Sequence, residues 1–412
     1  MRIAFIAPFG VQPKGTVSAR MLPLAHALAA RGHHVRVVIP PWDDPSAPAR
    51  TTVRRIAVHG RWAGTVQVVT LGRRAAPRAV AMPLGLVRWS LRMGTGIDPH
   101  SARPFDVVHV FKPIGYGGLA ALALHALKRP WVLDVDDWEG PGGWVDVNPY
   151  SPAQKLAITV METMLPRMTG AVTAASRTLE ARLWSFGLPR RKVLYMPNGV
   201  WAAKYASWAD ATPLLPAPDG PVVLLYTRFA EFPYRWPLDV LQGVLACHPS
   251  ARLLVVGGGF FGEEALLQAD AARMGLQEQV RVVGRVPETD LPRYLASGDV
   301  CIYPMTDNLI NRAKSPMKLL EPMLMGLPVV ASKVGEVSEF VGDAGVLVPP
   351  DDLQAMAEAV SDLLANPQKR KALGQRARER VWNRFNWQKL CEVAERAYAA
   401  VPSLVPQRRE GV

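Results

Sequence analysis

In the stretch KSPMKLLEPMLMGLPVVAS, Lys314 to Ser332, a serine–proline pair opens an apolar segment that carries Lys318 and Glu321 and stops at Gly326. Ser315 is expected at the N-cap and Pro316 at the first helical position, where its missing N–H costs nothing. A helix beginning there turns unpaired N–H groups and the positive end of its dipole toward an anion. Glu321 has two readings: it accepts from neighbouring hydroxyls of a polyol ligand, or it is a surface carboxylate paired with Lys318 or Lys314. A second acidic group stands in WVLDVDDW, where Asp134, Asp136 and Asp137 close an apolar run. Adjacent side chains of an extended segment point to opposite faces, so Asp136 and Asp137 are expected to diverge. One faces a ligand, or both serve as turn or cap carboxylates. In VVHVFKP, Lys112 is placed to meet an anion, and His109 is either a ligand contact or a packed strand residue.

These residues need strand ends and helix starts to hold them. Apolar runs RIAFIAP, HHVRVVIPP, DVVHVFKP, PWVLDVDDW, GAVTAAS and KVLYMPNGV read as strands. Helical segments are expected after the first strand, capped by Ser18 and ended by Gly32, and near 116–128, 151–168 and 177–186. The Pro- and Ala-rich stretch 201–220 reads as a linker. Alternation then restarts with PVVLLYTRF, ARLLVVGGG, VRVVGRV, DVCIYPM, PVVAS and AGVLVPP. Helices are expected at 237–247, 263–274, 289–297 and 316–325, followed by a helical, basic tail. The expected fold is α/β, two doubly wound Rossmann-like domains facing a central cleft. Boundaries fall at 1–200, 201–220, 221–380 and 381–412, the last a helix returning to the first domain. Trp382, Phe385 and Trp387 are too apolar for a free tail and call for a docking surface.

The chain has 412 residues, 49% of them hydrophobic and 20% charged, enough for two or three domains with substantial cores. Cys247, Cys301 and Cys391 lie far apart and show no metal spacing, which fits a reduced, cytoplasmic setting. The eight histidines form no HExxH pattern, so no metal is expected. MRIAFIAP reads as a strand rather than a signal peptide, and no apolar run reaches membrane-spanning length. The net charge of +13 admits nucleic acid, an anionic membrane surface or phosphorylated small molecules as partners. No zinc finger or aromatic RNA-binding signature supports nucleic acid. Residues 73–93, RRAAPRAVAMPLGLVRWSLRM, mix arginines with Trp89 and aliphatic residues. That mixture suits peripheral contact with an anionic inner membrane face, or a core helix with snorkelling arginines.

The ordered set of motifs, from GTVSAR…LAHALAARGHHVRVV through VTAASRTLE, MPNGV, LLVVGGG and VRVVGRVPETDLPRYLASGDVCIYPM to SPMKLLEPMLMGLPVVASKVG and GVLVPPDD, resembles the GT-B glycosyltransferases of family 4 over nearly the whole chain. The resemblance implies a retaining hexosyltransferase that uses a nucleotide-diphosphate sugar (UDP- or GDP-linked) as co-substrate, with no obligatory metal or other cofactor. It implies a donor cradle at Ser315, Pro316, Met317, Lys318, Leu319 and Glu321, the last on ribose hydroxyls. Arg228 and Arg235 would hold the diphosphate, Val286 would lie beside the base, and Gly15 would approach the donor phosphate. Thr16, His109 and Lys112 would face the acceptor, which a lipid-linked molecule would satisfy. Two departures stand out. Family members carry two glutamates eight positions apart, and the first falls at Ala313, so Lys318 or the pair Asp307–Asn308 is expected to take over sugar contacts. Where relatives have a histidine, this chain has Asp136 and Asp137, which are expected to bind a sugar hydroxyl or steady a cationic transition state. The expected catalytic set is Asp136, Asp137, Arg228 and Lys318. Alternatives are a non-catalytic nucleotide-sugar-binding partner of an active transferase, or an epimerase or phosphorylase on the same scaffold.

Overall fold

A computed structural model describes residues 1–10, 15–40, 50–58, 61–70, 104–201, 208, 211–214 and 220–401. The chain divides into two compact units. The first is Met1–Asn198 with Ala313–Ser315 and Trp387–Val412; the second is Gly199–Arg312 with Pro316–Asn386.

The first unit carries β1 (Arg2–Ile6), α1 (Leu22–Ala30), β2 (His34–Ile39), β3 (Arg50–Val58), β4 (Arg61–Thr70), β5 (Val107–Phe111), α2 (Gly115–Ala126), β6 (Trp131–Val135), α3 (Pro152–Met168), β7 (Ala171–Ala174), α4 (Arg177–Ser185) and β8 (Val193–Tyr195). Its eight strands run in the order β3-β4-β2-β1-β5-β6-β7-β8, parallel except for β3 against β4. β5 and β6 are buried along their whole length, because a parallel strand is covered on both faces. The strand order reverses between β1 and β5, and such switch points are where open α/β sheets bind ligands. Gly118 lets α2 approach α3: a Cβ there would lie 2.6 Å from the Met161 sulfur.

The second unit carries β9 (Val222–Tyr226), α5 (Trp236–Leu245), β10 (Arg252–Val256), α6 (Glu263–Arg273), β11 (Val280–Gly284), α7 (Leu291–Leu295), β12 (Val300–Tyr303), α8 (Leu309–Ala313), α9 (Met317–Leu324), β13 (Val329–Ser332), α10 (Val337–Val341), β14 (Val346–Val348), α11 (Leu353–Ala365) and α12 (Pro367–Arg384). Its six strands are parallel in the order β11-β10-β9-β12-β13-β14, with the switch point between β9 and β12. Gly257 is required after β10. Its φ is +116°, and a Cβ would sit 1.9 Å from the Thr227 carbonyl oxygen.

The expected strands all form, and the structure adds the antiparallel pair β3–β4 and the short α8. Ser18 is not a helix cap. The chain from Val17 to Met21 winds as one wide π turn into α1, and the Ser18 hydroxyl accepts from the Gly15 N–H at 3.1 Å. The tail returns at α13 (Trp387–Ala399) rather than at residue 381. The three tail aromatics part company: Phe385 enters the second unit's core, Trp387 is fully buried in the first unit, and Trp382 stays half exposed.

Candidate active site

Each unit presents its chemistry at the C-terminal ends of the strands flanking its switch point. In the first unit the foundation is Arg20, on the turn leading into α1. Its guanidinium donates to both Asp134 oxygens, at 2.8 and 2.7 Å, to the Asn198 side chain at 3.1 Å and to the Met196 carbonyl at 2.8 Å. Arg20 and Asp134 are both fully buried, and the Trp387 ring stacks within 5.7 Å of the guanidinium. Bidentate geometry with the remaining donors satisfied is the arrangement that makes a buried ion pair tolerable. The Thr173 hydroxyl also donates to Asp134 at 2.5 Å.

Above this pair Lys112 adopts a left-handed φ of 63°, rare for a non-glycine residue and found where function or packing over-determines the backbone. Its buried ammonium donates to Asp137 and Glu139, each at 2.7 Å, and lies 3.4 Å from Asp136. Burial works against the Lys112 charge, but the three carboxylates outweigh it and hold the ammonium well above its usual range. The Thr16 hydroxyl donates to the second Asp136 oxygen at 2.6 Å. Burial, offset by Lys112 and reinforced by Asp137, pushes Asp136 up to about 6. Below it Glu162 accepts from the Glu139 N–H at 3.1 Å, and burial with the neighbouring Glu139 charge raises Glu162 to about 8.

Several expectations for this unit are corrected. Asp136 and Asp137 do not diverge, because the chain leaves β6 at Val135 and bends, so both reach Lys112. Lys112 faces carboxylates rather than an anionic ligand. His109 has no surface to offer an acceptor: it is fully buried between the Tyr398 hydroxyl, 2.9 Å from Nδ1, and Thr173, 3.4 Å from Nε2. Burial lowers its pKa to about 4, so it packs as a neutral ring. Arg20, Glu139 and Glu162 were missed. The available signals were charged residues in apolar surroundings, Arg20 before LPLAHALAA and Glu162 within TVMETML.

In the second unit, α9 starts later than expected. Pro316 is the N-cap, with φ −78° and ψ 103°, and Met317 opens the helix. Ser315 does not cap. Its hydroxyl accepts from the Asn198 N–H at 2.8 Å, and its carbonyl accepts from the Asn198 side chain at 2.8 Å. The first-turn amides of α9 lack intrahelical partners in principle, but that of Leu319 is turned back to the Pro316 carbonyl at 3.3 Å. The Leu319 side chain is fully buried in the core, so it offers no direct contact, and Met317 is partly buried against the same core. Gly326, with φ +81°, ends the helix as expected.

Glu321 is buried rather than lying at the surface, and the Tyr226 hydroxyl donates to it. Burial and the Glu321 charge push the Tyr226 phenol far up. The Lys318 ammonium sits 3.4 Å from the centre of the Tyr226 ring, a cation–π contact. Tyr226 is thus the floor on which Lys318 and Glu321 are both arranged, and it was missed. Its signal was its place at the end of the strand in LLYTRF. Two residues on, Arg228 is exposed, its guanidinium 5.8 Å from the Phe260 ring centre. Arg235 is exposed at the N-cap of α5 and lies 3.7 Å from Asp239. Val286 is half buried against the core, next to Arg285, which donates to the Gly259 carbonyl at 3.0 Å.

The expected stand-ins for the missing glutamate are engaged locally. Asp307 accepts from Arg312 at 2.7 Å, which lowers its pKa, and Asn308 bonds Thr306 and the Asn311 amide. Ala313 is fully buried. Gly15 has its amide committed to Ser18. Residues 73–93 lie outside the described residues. Among the described residues no group of three or more His, Cys, Asp or Glu side chains is arranged to hold a metal ion, and no helix is long and apolar enough to cross a membrane.

Two doubly wound α/β units in series, each matched by a glycosyltransferase family, define a GT-B glycosyltransferase. Residues 15–199 match the family "Glycosyl transferase 4-like domain" and residues 220–366 match "Glycosyl transferases group 1". The chain belongs to glycosyltransferase family 4 and is an enzyme of that class. It is 28% identical to a phosphatidyl-myo-inositol mannosyltransferase of Mycobacterium leprae, over 97% of each chain. Among solved structures it resembles sucrose-phosphate synthase from Thermosynechococcus elongatus, with a TM-score of 0.67, 23% identity, and 97% and 98% of the two chains covered. It also resembles Anabaena Alr3699/HepE in complex with UDP-glucose, with a TM-score of 0.63, 19% identity, and 96% and 98% covered.

Proposed function

We propose that this glycosyltransferase moves a hexosyl group from a nucleotide-diphosphate sugar to an acceptor hydroxyl, with retention at the anomeric carbon. The observation that carries the reading is the grouping at the second unit's switch point: the α9 start, Glu321 held by Tyr226, Lys318 over the same ring, and exposed Arg228 at the end of β9. Glu321 accepts from the ribose hydroxyls, and the first-turn amides and Arg228 meet the diphosphate. As the sugar–phosphate bond breaks, its electron pair passes to the diphosphate, where Arg228 and the helix dipole stabilise the growing charge. The acceptor oxygen bonds to the anomeric carbon on the face the phosphate leaves, and its proton passes to the departing phosphate oxygen. Neither step calls for a redox cofactor or an enzyme-bound metal.

The acidic network of the first unit then orients the acceptor, with Asp137 as its more exposed carboxylate. A lipid-linked acceptor is supported by the name of the mycobacterial relative. The test is a panel of UDP-, GDP- and ADP-sugars scored by thermal shift, since a ligand that binds only the native state raises its stability. The bound donor is then offered for turnover. Glu321→Gln should weaken binding of that donor by about 10- to 150-fold, the loss of a charge-assisted hydrogen bond of about 1.5–3 kcal/mol. A panel in which no nucleotide sugar raises the melting temperature, or an unchanged Kd in the variant, overturns the reading.

A further inference from the structure

Among the described residues, the helix layer over β5, β6 and β7 leaves an apolar face without a partner. On α3, Leu156, Val160 and Met164 follow one another at four-residue spacing, and they are 65%, 48% and 49% exposed. With Leu122 of α2, and with Met161 and Leu165 beneath, they line a shallow groove whose walls are almost wholly hydrocarbon. A run of large aliphatic side chains facing water on one stripe of a helix marks an interaction surface rather than scattered exposure.

The charge around this face is one-sided. The C-terminal ends of α2 and α3 are pinned together by the His125 ring, which bonds the Met168 carbonyl at 3.1 Å, and Lys192 donates to the Arg167 carbonyl at 2.9 Å. These contacts bring Lys128, Arg129, Arg167, Arg190, Arg191 and Lys192 to one end of the groove. Residues 115–130 and 186–193 contain no Asp or Glu, and the single acid of 151–168, Glu162, is buried. Arg167 and Arg190 lay their guanidinium groups on the rings of Phe186 and Trp184, at 5.6 and 4.6 Å, and keep their charge at the surface.

We propose that the α2–α3 face docks on an anionic phospholipid bilayer, with Leu122, Leu156, Val160 and Met164 entering the acyl boundary and the basic end meeting lipid phosphates. The face combines what an interfacial helix needs: an aliphatic stripe and an unopposed cationic rim. A two-fold pairing of the face with itself would instead bring further cations to segments 115–130, 151–168 and 186–193, which hold no exposed carboxylate to offset them. The inference does not depend on the donor, because lipid binding is read without turnover.

The experiment is flotation of the full chain with vesicles of phosphatidylcholine alone and of phosphatidylcholine containing phosphatidylglycerol, at low and at high salt. The chain should float with the anionic vesicles at low salt, and high salt should release it. Leu156→Glu/Val160→Glu should abolish flotation. Arg190→Glu/Arg191→Glu should lower the bound fraction at least about tenfold, each basic residue contributing on the order of a fivefold gain in partition. Leu266→Glu, an equally exposed leucine of the second unit, should leave it unchanged. Circular dichroism and melting temperature establish that each variant is folded, and if the apolar pair unfolds the arginine pair carries the test. Failure of the wild type to float with anionic vesicles at low salt overturns the proposal. So does flotation retained in both double variants, or a sedimenting dimer that Leu156→Glu/Val160→Glu dissociates without any flotation.

Discussion

Lys112 and Phe229 follow the strands β5 and β9, which flank the switch points of their sheets, and both hold a positive φ, 63° and 58°. Both positions take the left-handed region, and the cations at or beside them differ in exposure. Lys112 swings inward and is consumed by Asp136, Asp137 and Glu139. Arg228, next to Phe229, stays at the surface, while the acid nearby, Glu321, is held by a neutral hydroxyl. At its switch point the first unit therefore settles its charge internally and fixes geometry. The second leaves the Arg228 side chain at the surface, within reach of a ligand. Substitutions should consequently damage stability in the first unit and ligand handling in the second.

The largest effect is expected at Arg20. Arg20→Met strands Asp134 as a buried, uncompensated charge, and breaking such a pair costs about 3–5 kcal/mol. The first unit's melting transition should fall sharply, and Arg20→Met/Asp134→Leu should recover much of the loss. A single variant that melts like wild type would break the contrast. Arg228→Ala is the opposite case. Its side chain is exposed, so melting should not change, while kcat falls by about 10²–10³-fold through lost stabilisation of the leaving diphosphate. An unaltered kcat would remove Arg228 from the chemistry.

The acidic network also makes a pH prediction. Glu162 keeps its proton to about 8 in the folded chain, against a usual 4.5. The folded state therefore binds a proton that the unfolded state has released between those values, so stability falls as pH rises through this window and levels off above it. Each tenfold difference in proton affinity corresponds to about 1.4 kcal/mol. Glu162→Gln retains an oxygen for the Glu139 N–H and has no proton to lose. It should flatten the decline of melting temperature between about pH 7 and 8, above the ranges in which Asp136, raised to about 6, and His109, lowered from 6.5 to about 4, change their contributions. A variant that declines as steeply as wild type would show that Glu162 does not hold its proton.

The sheets were legible because their central strands are apolar runs set between helix signals, as in VVLLY and VCIY. The β3–β4 pair was not, since RTTVRRIAV is rich in arginine and threonine and has few large apolar residues. Around α9, the stop at Gly326 was readable from spacing, whereas spacing left Glu321 open between a ligand contact and a surface ion pair, and only the family resemblance favoured the first. Ser315 was misread because the hydrogen bond that claims it comes from Asn198, 117 residues away. Lys112 and His109 were misread for the same kind of reason. A strand-end cation looks ligand-facing in one dimension, and only the fold shows that Asp137, Glu139 and Tyr398 have reached it first. Long-range partners decide whether a polar residue is spent or available, and sequence spacing carries little about them.

The smallest effect expected is also the one that most sharpens the comparison. Tyr226→Phe keeps the ring under Lys318 and removes only the hydroxyl that donates to Glu321. A single hydrogen bond of this kind is worth about 0.5–1.5 kcal/mol net, so donor affinity should fall by roughly two- to tenfold with kcat nearly constant. The cation–π contact survives, so Lys318 keeps its place and the loss reports on Glu321 alone. In Tyr226→Phe/Glu321→Gln the hydroxyl has no carboxylate left to orient, and the double variant should be little worse than Glu321→Gln. If the two losses simply add, Tyr226 acts on the ligand by itself and not through Glu321. If Tyr226→Phe lowers melting temperature while leaving donor Kd untouched, the pair is a packing contact, and the second unit is as internally settled as the first.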